Sequence, residues 1–437
     1  MANTHDPYAA LRNRDLRLFI GGRVLGVIGW QMMQVALGWE LYERTHSAFA
    51  LGLVGLATAL PVVVFALPAG HAVDRYDRKV ILAWAQVFFA ASSFALAAIS
   101  HWQGPVPLIY ALLLLRGVVQ AYNNPARQAL LPRLVPAAML TNAVTWASSG
   151  FQIAAAIGPA LGGFAVALQG GASGAYIVSG LLFVVNLVTL LMMGPGRARA
   201  TVSIANQDSV VPAGSPLAGG EGVQSEPPGR GHERMTKESL VAGMRFVRET
   251  KVILAAITLD LFAVLLGGAT ALLPVFAKDI LHVGADGLGW LRAAPSIGAL
   301  IVAVAIAYRR PMQRTGWTLL LAVAGFGVAT IVFGLSRSYV LSLAMLFALG
   351  GLDSISMVIR STLVQLRTPD EMRGRVSAVN SVFIDMSNEL GGFESGALAA
   401  LVGPVVAVVA GGVGTLIVVA AVGLAWPELR RLRQLEA

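Results

Sequence analysis

Several ionisable side chains stand inside stretches that are otherwise apolar: Arg23, Arg116, Arg292, Asp260, Asp353, Asp385, Glu389 and Glu394. A charge in such a stretch is costly unless it faces protein or a water-filled cavity. A carboxyl there that loses and regains a proton as its access alternates can carry protons. Ser377, Ser381, Asp385, Asn388 and Glu389 follow helical spacing and form one polar face, with Asp385 and Glu389 one turn apart. Two acids that close in a dry site repel as anions, so one of them is expected to hold a proton. The acids outnumber Arg23, Arg116 and Arg292, so permanent ion pairs with these bases cannot neutralise them all. Asp353 and Asp385 are the first candidates for proton coupling, followed by Glu389 and Asp260, with Arg116 as the buried base. Glu40, near the end of its apolar stretch, is expected to be solvated.

Other chemistries are excluded. The chain has no cysteine, and its six histidines are scattered without an i,i+4 pair. Thiolate nucleophiles, disulfides and a metal centre are therefore not expected, and neither is a catalytic cluster: the protein reads as no enzyme, with no cofactor and no metal. No G-x-x-x-x-G-K-[ST] phosphate loop occurs, so ATP is not its direct energy source.

Polar, uncharged residues group on helical faces. Arg23, Trp30 and Gln34 share one face, where Arg23 either meets a ligand or carboxylate or snorkels to the membrane surface. Arg116, Gln120, Asn123 and Asn124 form a stripe. Thr145, Ser148, Ser149 and Gln152 form another, with Trp146 beside it. Aromatic faces and amides suit flat, partly polar molecules, so Trp30, Gln34, Gln120, Asn123, Trp146, Ser149 and Gln152 are cavity candidates.

The elements that hold these residues are long apolar segments. The chain of 437 residues is 56% hydrophobic and 13% charged, against about 25% charged in soluble domains. A helix needs about 20 apolar residues to span a bilayer. Twelve such segments are expected, over 17–41, 48–70, 78–100, 105–124, 140–167, 173–194, 252–277, 286–308, 315–335, 339–360, 376–402 and 405–426. Basic residues crowd one set of loops, leaving Arg44, Lys278 and Arg337 on the other side, so both termini are expected in the cytoplasm. The net charge of +9 then belongs to cytoplasmic loops, not to a nucleic-acid surface. The polar N-terminus, with Arg12, Arg14 and Arg17, is not expected to be a cleavable signal peptide.

Residues 195–238 are rich in Gly, Pro and Ser and are expected to form a disordered cytoplasmic linker. They separate a first six-helix half, 1–194, from a second, 239–437. A short amphipathic helix carrying Leu240, Met244 and Val247 is expected to precede the second half. The halves repeat: Arg127, Leu130, Pro136 and Met139 recur at one constant offset as Arg360, Leu363, Pro369 and Met372. The same offset maps Gln120 onto Asp353 and Gln152 onto Asp385, which argues for a polar cavity shared by both halves. The alternative is that these polar residues bridge helices without touching a ligand.

Three motifs carry a family resemblance. Gly70, Asp74, Arg75, Arg78 and Lys79 form a G-x-x-x-D-R-x-x-R-K loop in which Asp77 stands where the family has Gly; Asp tolerates a left-handed backbone. Gly158-Pro159-Ala160-Leu161-Gly162-Gly163 forms a G-P-x-x-G-G run suited to close helix packing. Asn124 to Pro132 reads N-P-A-R-Q-A-L-L-P. With these motifs the chain resembles the major facilitator superfamily, in the branch of enterobactin exporters and macrolide efflux pumps. The resemblance implies an all-α membrane fold of twelve transmembrane helices in two pseudo-symmetric halves. It also implies export of small amphiphilic compounds (siderophore, antibiotic or drug-like) from the cytoplasm of a bacterium in exchange for protons, by a monomer in the inner membrane. The alternatives are a lipid or lysophospholipid translocator of the same fold and a membrane protein without transport activity. In this fold helix 2 packs against helix 11, so Asp74, Arg75, Arg78 and Lys79 are expected to latch onto Asp370 and Glu371 at the cytoplasmic mouth.

Overall fold

The computed structural model describes residues 8–194, 244–308, 314–369 and 372–432; the side chains of 67, 137, 307, 373–375, 377–382 and 385 lie outside the described residues. The linker 195–238 and the acids Asp370 and Glu371 also lie outside them.

Twelve long helices follow one another: α1 (Arg14–Thr45), α2 (Ala48–Arg75), α3 (Arg78–His101), α4 (Val106–Leu134), α5 (Leu140–Gln169), α6 (Ser173–Met192), α7 (Lys251–Leu266), α8 (Ala285–Ala307), α9 (Thr315–Leu335), α10 (Tyr339–Arg367), α11 (Arg373–Val402) and α12 (Pro404–Ala425). Among the described residues eleven segments are long and apolar enough to cross a membrane; α11, with 30 residues, completes the set. α7 continues into its span through a 3-10 turn at Ala269–Leu272, a short turn at Leu273–Val275 and a π-helical turn at Phe276–Ile280. The irregularity begins at Gly267-Gly268 and includes Pro274, residues that favour departures from α-helix. Leu168, Leu191, Leu321 and Leu424 point outward, largely exposed, as a lipid-facing surface requires.

Caps set the helix ends. The Asn13 side chain accepts from the backbone N–H of Asp15 and Leu16 at the start of α1. The 70–79 stretch differs from the expected glycine-started loop. α2 runs on to Arg75, so Gly70 lies within the helix, and the turn is only Tyr76-Asp77. Asp77 is not left-handed: at φ −63 and ψ 123 it is the N-cap of α3, accepting from Lys79 N at 2.7 Å. An N-capping carboxylate thus explains Asp where the resemblance has Gly.

The packing repeats between halves. In the first, α1 packs on α5 and α6, α3 on α4 and α6, and α2 on α4. In the second, α7 packs on α11 and α12, α9 on α10 and α12, and α8 on α10. Each pair has its counterpart six helices on, and so do the two contacts that join the halves, α2 with α11 and α5 with α8. The fold is all-α, with two pseudo-symmetric six-helix halves.

The core is distributed unevenly across the membrane. On the face opposite the termini, Met33, Leu37, Leu41, Phe276, Leu288 and Phe333 belong to one buried cluster that crosses between halves. On the terminal face, where α1 begins and α12 ends, the buried clusters stay within a half. Phe19, Val73 and Leu82 belong to the first half, and Leu259, Leu319 and Ile359 to the second. The halves are therefore sealed together on the opposite face.

Candidate functional site

Arg116 is fully buried on α4. Its Nη1 donates to the Phe89 carbonyl at 3.1 Å and to the Ser92 and Ser93 hydroxyls of α3. The guanidinium lies 5.4, 5.0 and 5.5 Å from the ring centroids of Trp30, Phe89 and Phe183, a cation–π cage. Its Nε and Nη2 have no acceptor, and no described carboxylate forms an ion pair with it. Among the described residues, then, Arg116 is no member of a permanent ion pair.

Beside the cage runs a chain of amides. Asn186 of α6 donates to Gln86 Oε1 of α3 at 2.9 Å. Gln86 donates to Asn123 Oδ1 at 3.4 Å, Asn123 reaches Gln120 Oε1 at 3.5 Å, and Gln120 donates to Asn124 Oδ1 at 3.0 Å. Arg127 closes the chain onto Asn124 Oδ1 at 3.1 Å. Gln86, Asn186, Asn123, Gln120 and Arg127, with Arg23 and Trp30, wall a cavity of about 210 Å³ lined entirely by first-half helices. Gln86 and Asn186 escaped the reading of the sequence, although each is an amide in an apolar segment, the same signal that marked Gln120. Arg23 turns inward: it lines this cavity, its guanidinium 5.6 Å from the Phe151 ring centroid and its Nε buried without an acceptor.

Trp30 and Gln120 also border a second cavity, of about 260 Å³, shared between α2, α4 and α11. Asn388 and Glu389 then link it to a third, of about 230 Å³, lined by Gln34, Thr270 and Arg292. The three form a string from the first-half cavity toward the opposite face. Glu389 accepts from Thr58 of the other half at 3.2 Å, and its charge interacts with that of Arg292. Gln34 Oε1 is buried without a partner.

The second half holds a buried ion pair that the sequence did not announce. Arg360 of α10 binds Asp260 of α7 through Nη1 and Oδ2, both residues under a tenth exposed. Arg360, at the last position of the expected 339–360 span and not counted among the interior bases, lies within α10 and pairs with Asp260. Asp353, two turns before Arg360, interacts electrostatically with both. The backbone of Asp385 is helical on α11, and its side chain lies outside the described residues. Glu40 is not solvated as expected. It is buried, paired with Arg44 at 2.6 Å and bonded by the Tyr176 hydroxyl at 2.7 Å.

Trp146 packs against Tyr8 at the terminal end, with ring centroids 5.7 Å apart. Trp146, Ser149 and Gln152 line none of the three cavities. In the predicted latch, Asp74 and Arg75 are exposed, while Lys79 Nζ donates to the Met193 carbonyl at the end of α6. Met244 is exposed and Val247 is buried against Ile253, Ile257 and Val364, so this short helix, 244–249, docks on the second half through Val247.

The seal on the opposite face is made of main chain. Gly158 and Gly162 of α5 face α1, where a Cβ would come within 2.6 Å of Gln31 and 2.7 Å of Met32. Gly163 faces α8 of the other half, where a Cβ would meet the Ala285 carbonyl at 2.3 Å and the Gly289 Cα at 2.7 Å. The G-P-x-x-G-G run thus lets one helix touch two neighbours at backbone distance. Gly52 of α2 and Gly396 of α11 make the matching crossing. Around it, Tyr42 donates to Asp279, and Lys278 pairs with Glu43 at 3.4 Å and lies 5.6 Å from the Trp39 ring centroid.

Twelve helices in two equivalent halves, meeting along α2–α11 and α5–α8 and enclosing polar cavities within the membrane span, define a membrane transporter. The family model of the Major Facilitator Superfamily matches residues 19–392, and the chain belongs to that family. It is 26% identical over 413 residues to the enterobactin exporter EntS of Escherichia coli O1:K1 / APEC, covering 94% of this chain and 92% of the exporter. The same figures hold for EntS of Shigella boydii serotype 18. Among solved structures, a bacterial homolog of the human lysosomal transporter Spinster, inward-facing and occupied, aligns with a TM-score of 0.70 at 13% identity, over 97% of this chain and 99% of that one. The nucleoside transporter NupG aligns with a TM-score of 0.66 at 14% identity, over 96% and 99%. The protein is a multi-pass membrane transporter with homology to exporters.

Proposed function

We propose that this transporter exports small amphiphilic compounds from the cytoplasm in exchange for protons, by rocking of its two halves. The observation that carries the reading is the string of cavities, walled by amides and aromatic rings, beneath a main-chain seal on the face opposite the termini. The charge bias of the loops puts the termini in the cytoplasm, so the sealed face is the outer one and the cavities load from within. The exporter relatives agree with this direction. Proton exchange rests on the second half, where Asp353 sits midway along α10 beside the Asp260–Arg360 pair, and Asp385 and Glu389 lie on α11. An acid that shares one arginine with another acid has its charge only half compensated, a setting in which protonation is poised to change with access.

The test is transport by purified protein in liposomes, with an imposed proton gradient and three probes: a catecholate siderophore, a macrolide and a labelled lysophospholipid. Substrate-stimulated proton flux is expected with at least one of the first two and is lost in Asp353→Asn and Asp385→Asn. Wild-type coupling in both variants would refute the coupling residues. Translocation of the lysophospholipid alone, independent of pH, would replace export of amphiphiles with lipid translocation.

A further inference from the structure

We infer that the first-half cavity is a recognition site for an aromatic acid, and that Arg23 reads its negative charge. The inference rests on the exporter reading for its substrate and goes beyond it in naming the chemical class.

Charge is the first observation. Arg23 and Arg127 line the cavity, Arg116 lies directly behind its aromatic wall, and no carboxylate is among the lining residues. Arg127 is already bonded to Asn124. Arg23 has no hydrogen-bond or ion-pair partner among the described residues; its guanidinium lies over the Phe151 ring, and its Nε is buried. A guanidinium within a membrane span is normally compensated by a carboxylate or by carbonyls, and a planar guanidinium fork matches a carboxylate in two hydrogen bonds. The missing counter-ion is supplied by the occupant.

The rings are the second observation. Aromatic walls often bind cations, but here Trp30, Phe89 and Phe183 face Arg116, and Phe151 faces Arg23. Their attraction for positive charge is already taken up, and a cationic guest would meet the guanidiniums behind them. What remains is edge and face area for a flat, electron-rich ring.

Size and polarity complete the description. At about 210 Å³ the cavity is smaller than the ~300 Å³ at which drug-sized pockets begin. It takes an aromatic head, and the adjoining cavity of about 260 Å³ takes the rest of an amphiphile. The amides of Gln86, Gln120, Asn123 and Asn186 offer donors and acceptors around that head, as hydroxyl or carboxyl substituents require.

The experiment measures binding to the purified full-length protein in detergent by calorimetry, using 2-naphthoate, 2-naphthylmethylammonium and neutral 2-naphthalenemethanol. The acid is expected to bind at least about tenfold more tightly than the ammonium probe, a margin of 1.4 kcal/mol. Arg23→Gln removes that preference while retaining the neutral probe, and Arg23→Lys keeps part of it; retention of the neutral probe certifies the fold. Equal or tighter binding of the ammonium probe, no binding of the acid, or an unchanged preference in Arg23→Gln overturns the inference. Proton-coupled export of a macrolide with no affinity for 2-naphthoate would leave the exporter standing and remove this site. Arg23-dependent binding of 2-naphthoate without proton-coupled efflux would do the reverse.

Discussion

Replacing Gly163 with alanine should open the transporter on the face opposite its termini. The added Cβ would stand 2.3 Å from the Ala285 carbonyl oxygen and 2.7 Å from the Gly289 Cα. Both are backbone atoms of α8, so no side chain can rotate away. Overpacking a tight contact costs about 1–3 kcal/mol. The clash exists only while α5 and α8 touch, so its cost falls on the sealed state and not on the open one, and a cost of that size shifts a two-state population about 5–150-fold. The chain has no native cysteine, so Ala271→Cys, in the third cavity beneath the seal, is a clean reporter. Labelling by a membrane-impermeant maleimide from the opposite face should accelerate at least about fivefold in Gly163→Ala. Gly171→Ala, where a Cβ meets nothing within 4 Å, is the control. If Gly163→Ala labels at the wild-type rate, or merely melts at a lower temperature, the seal is not the barrier to opening and the reasoning fails.

Two further outcomes follow from the charged groups. Asp260→Asn leaves Arg360 buried without its carboxylate, which should cost about 3–5 kcal/mol. A thermal melt in detergent should show the loss, and Asp260→Leu combined with Arg360→Met should recover most of it; no recovery would mean the pair does more than neutralise itself. Asp74→Asn should slow export about two- to fivefold at near-normal protein levels, if its carboxylate holds the start of α11 when the terminal face closes, since such a helix-end charge contributes about 0.3–1 kcal/mol. Unchanged efflux would make Asp74 an ordinary surface residue of a positive loop.

The large features of the fold were legible because lipid permits few alternatives. Long apolar runs must be helices, and their number and repeat offset gave the paired halves that the α1–α5 and α7–α11 contacts exhibit. Helix ends read less well. Arg75 reads as part of a charged loop and Arg360 as the end of a span, yet α2 runs on to Arg75 and α10 seven residues past Arg360 to Arg367. For Arg360 the missing information was its partner: Asp260 is distant in sequence, and only the packing of α7 beside α10 brings the charges together. The candidate cavity was half legible. Trp30, Gln120 and Asn123 stand where polar helical faces put them, whereas Trp146 and Gln152 share their chemistry and line no described cavity. Type and spacing locate a face on a helix; which way that face turns depends on neighbours that a single helix does not reveal.

Arg127 and Arg360 occupy equivalent places in the repeat, yet one is bonded to an amide, Asn124, and the other to a carboxylate, Asp260. The first half also holds the buried Arg116 and the half-buried Arg23 without carboxylate partners among the described residues. Positive charge is thus concentrated in one half, and if the halves rock as proposed, that charge moves within the membrane's electric field. Carrying one elementary charge across the full membrane potential is worth about 2.3 kcal/mol per 100 mV, so even a third of that path is worth about 0.8 kcal/mol per charge. The balance between the two orientations of the empty carrier would then respond to voltage itself, and the electrical part of the ion gradient would act on the protein's own framework before any proton or substrate binds.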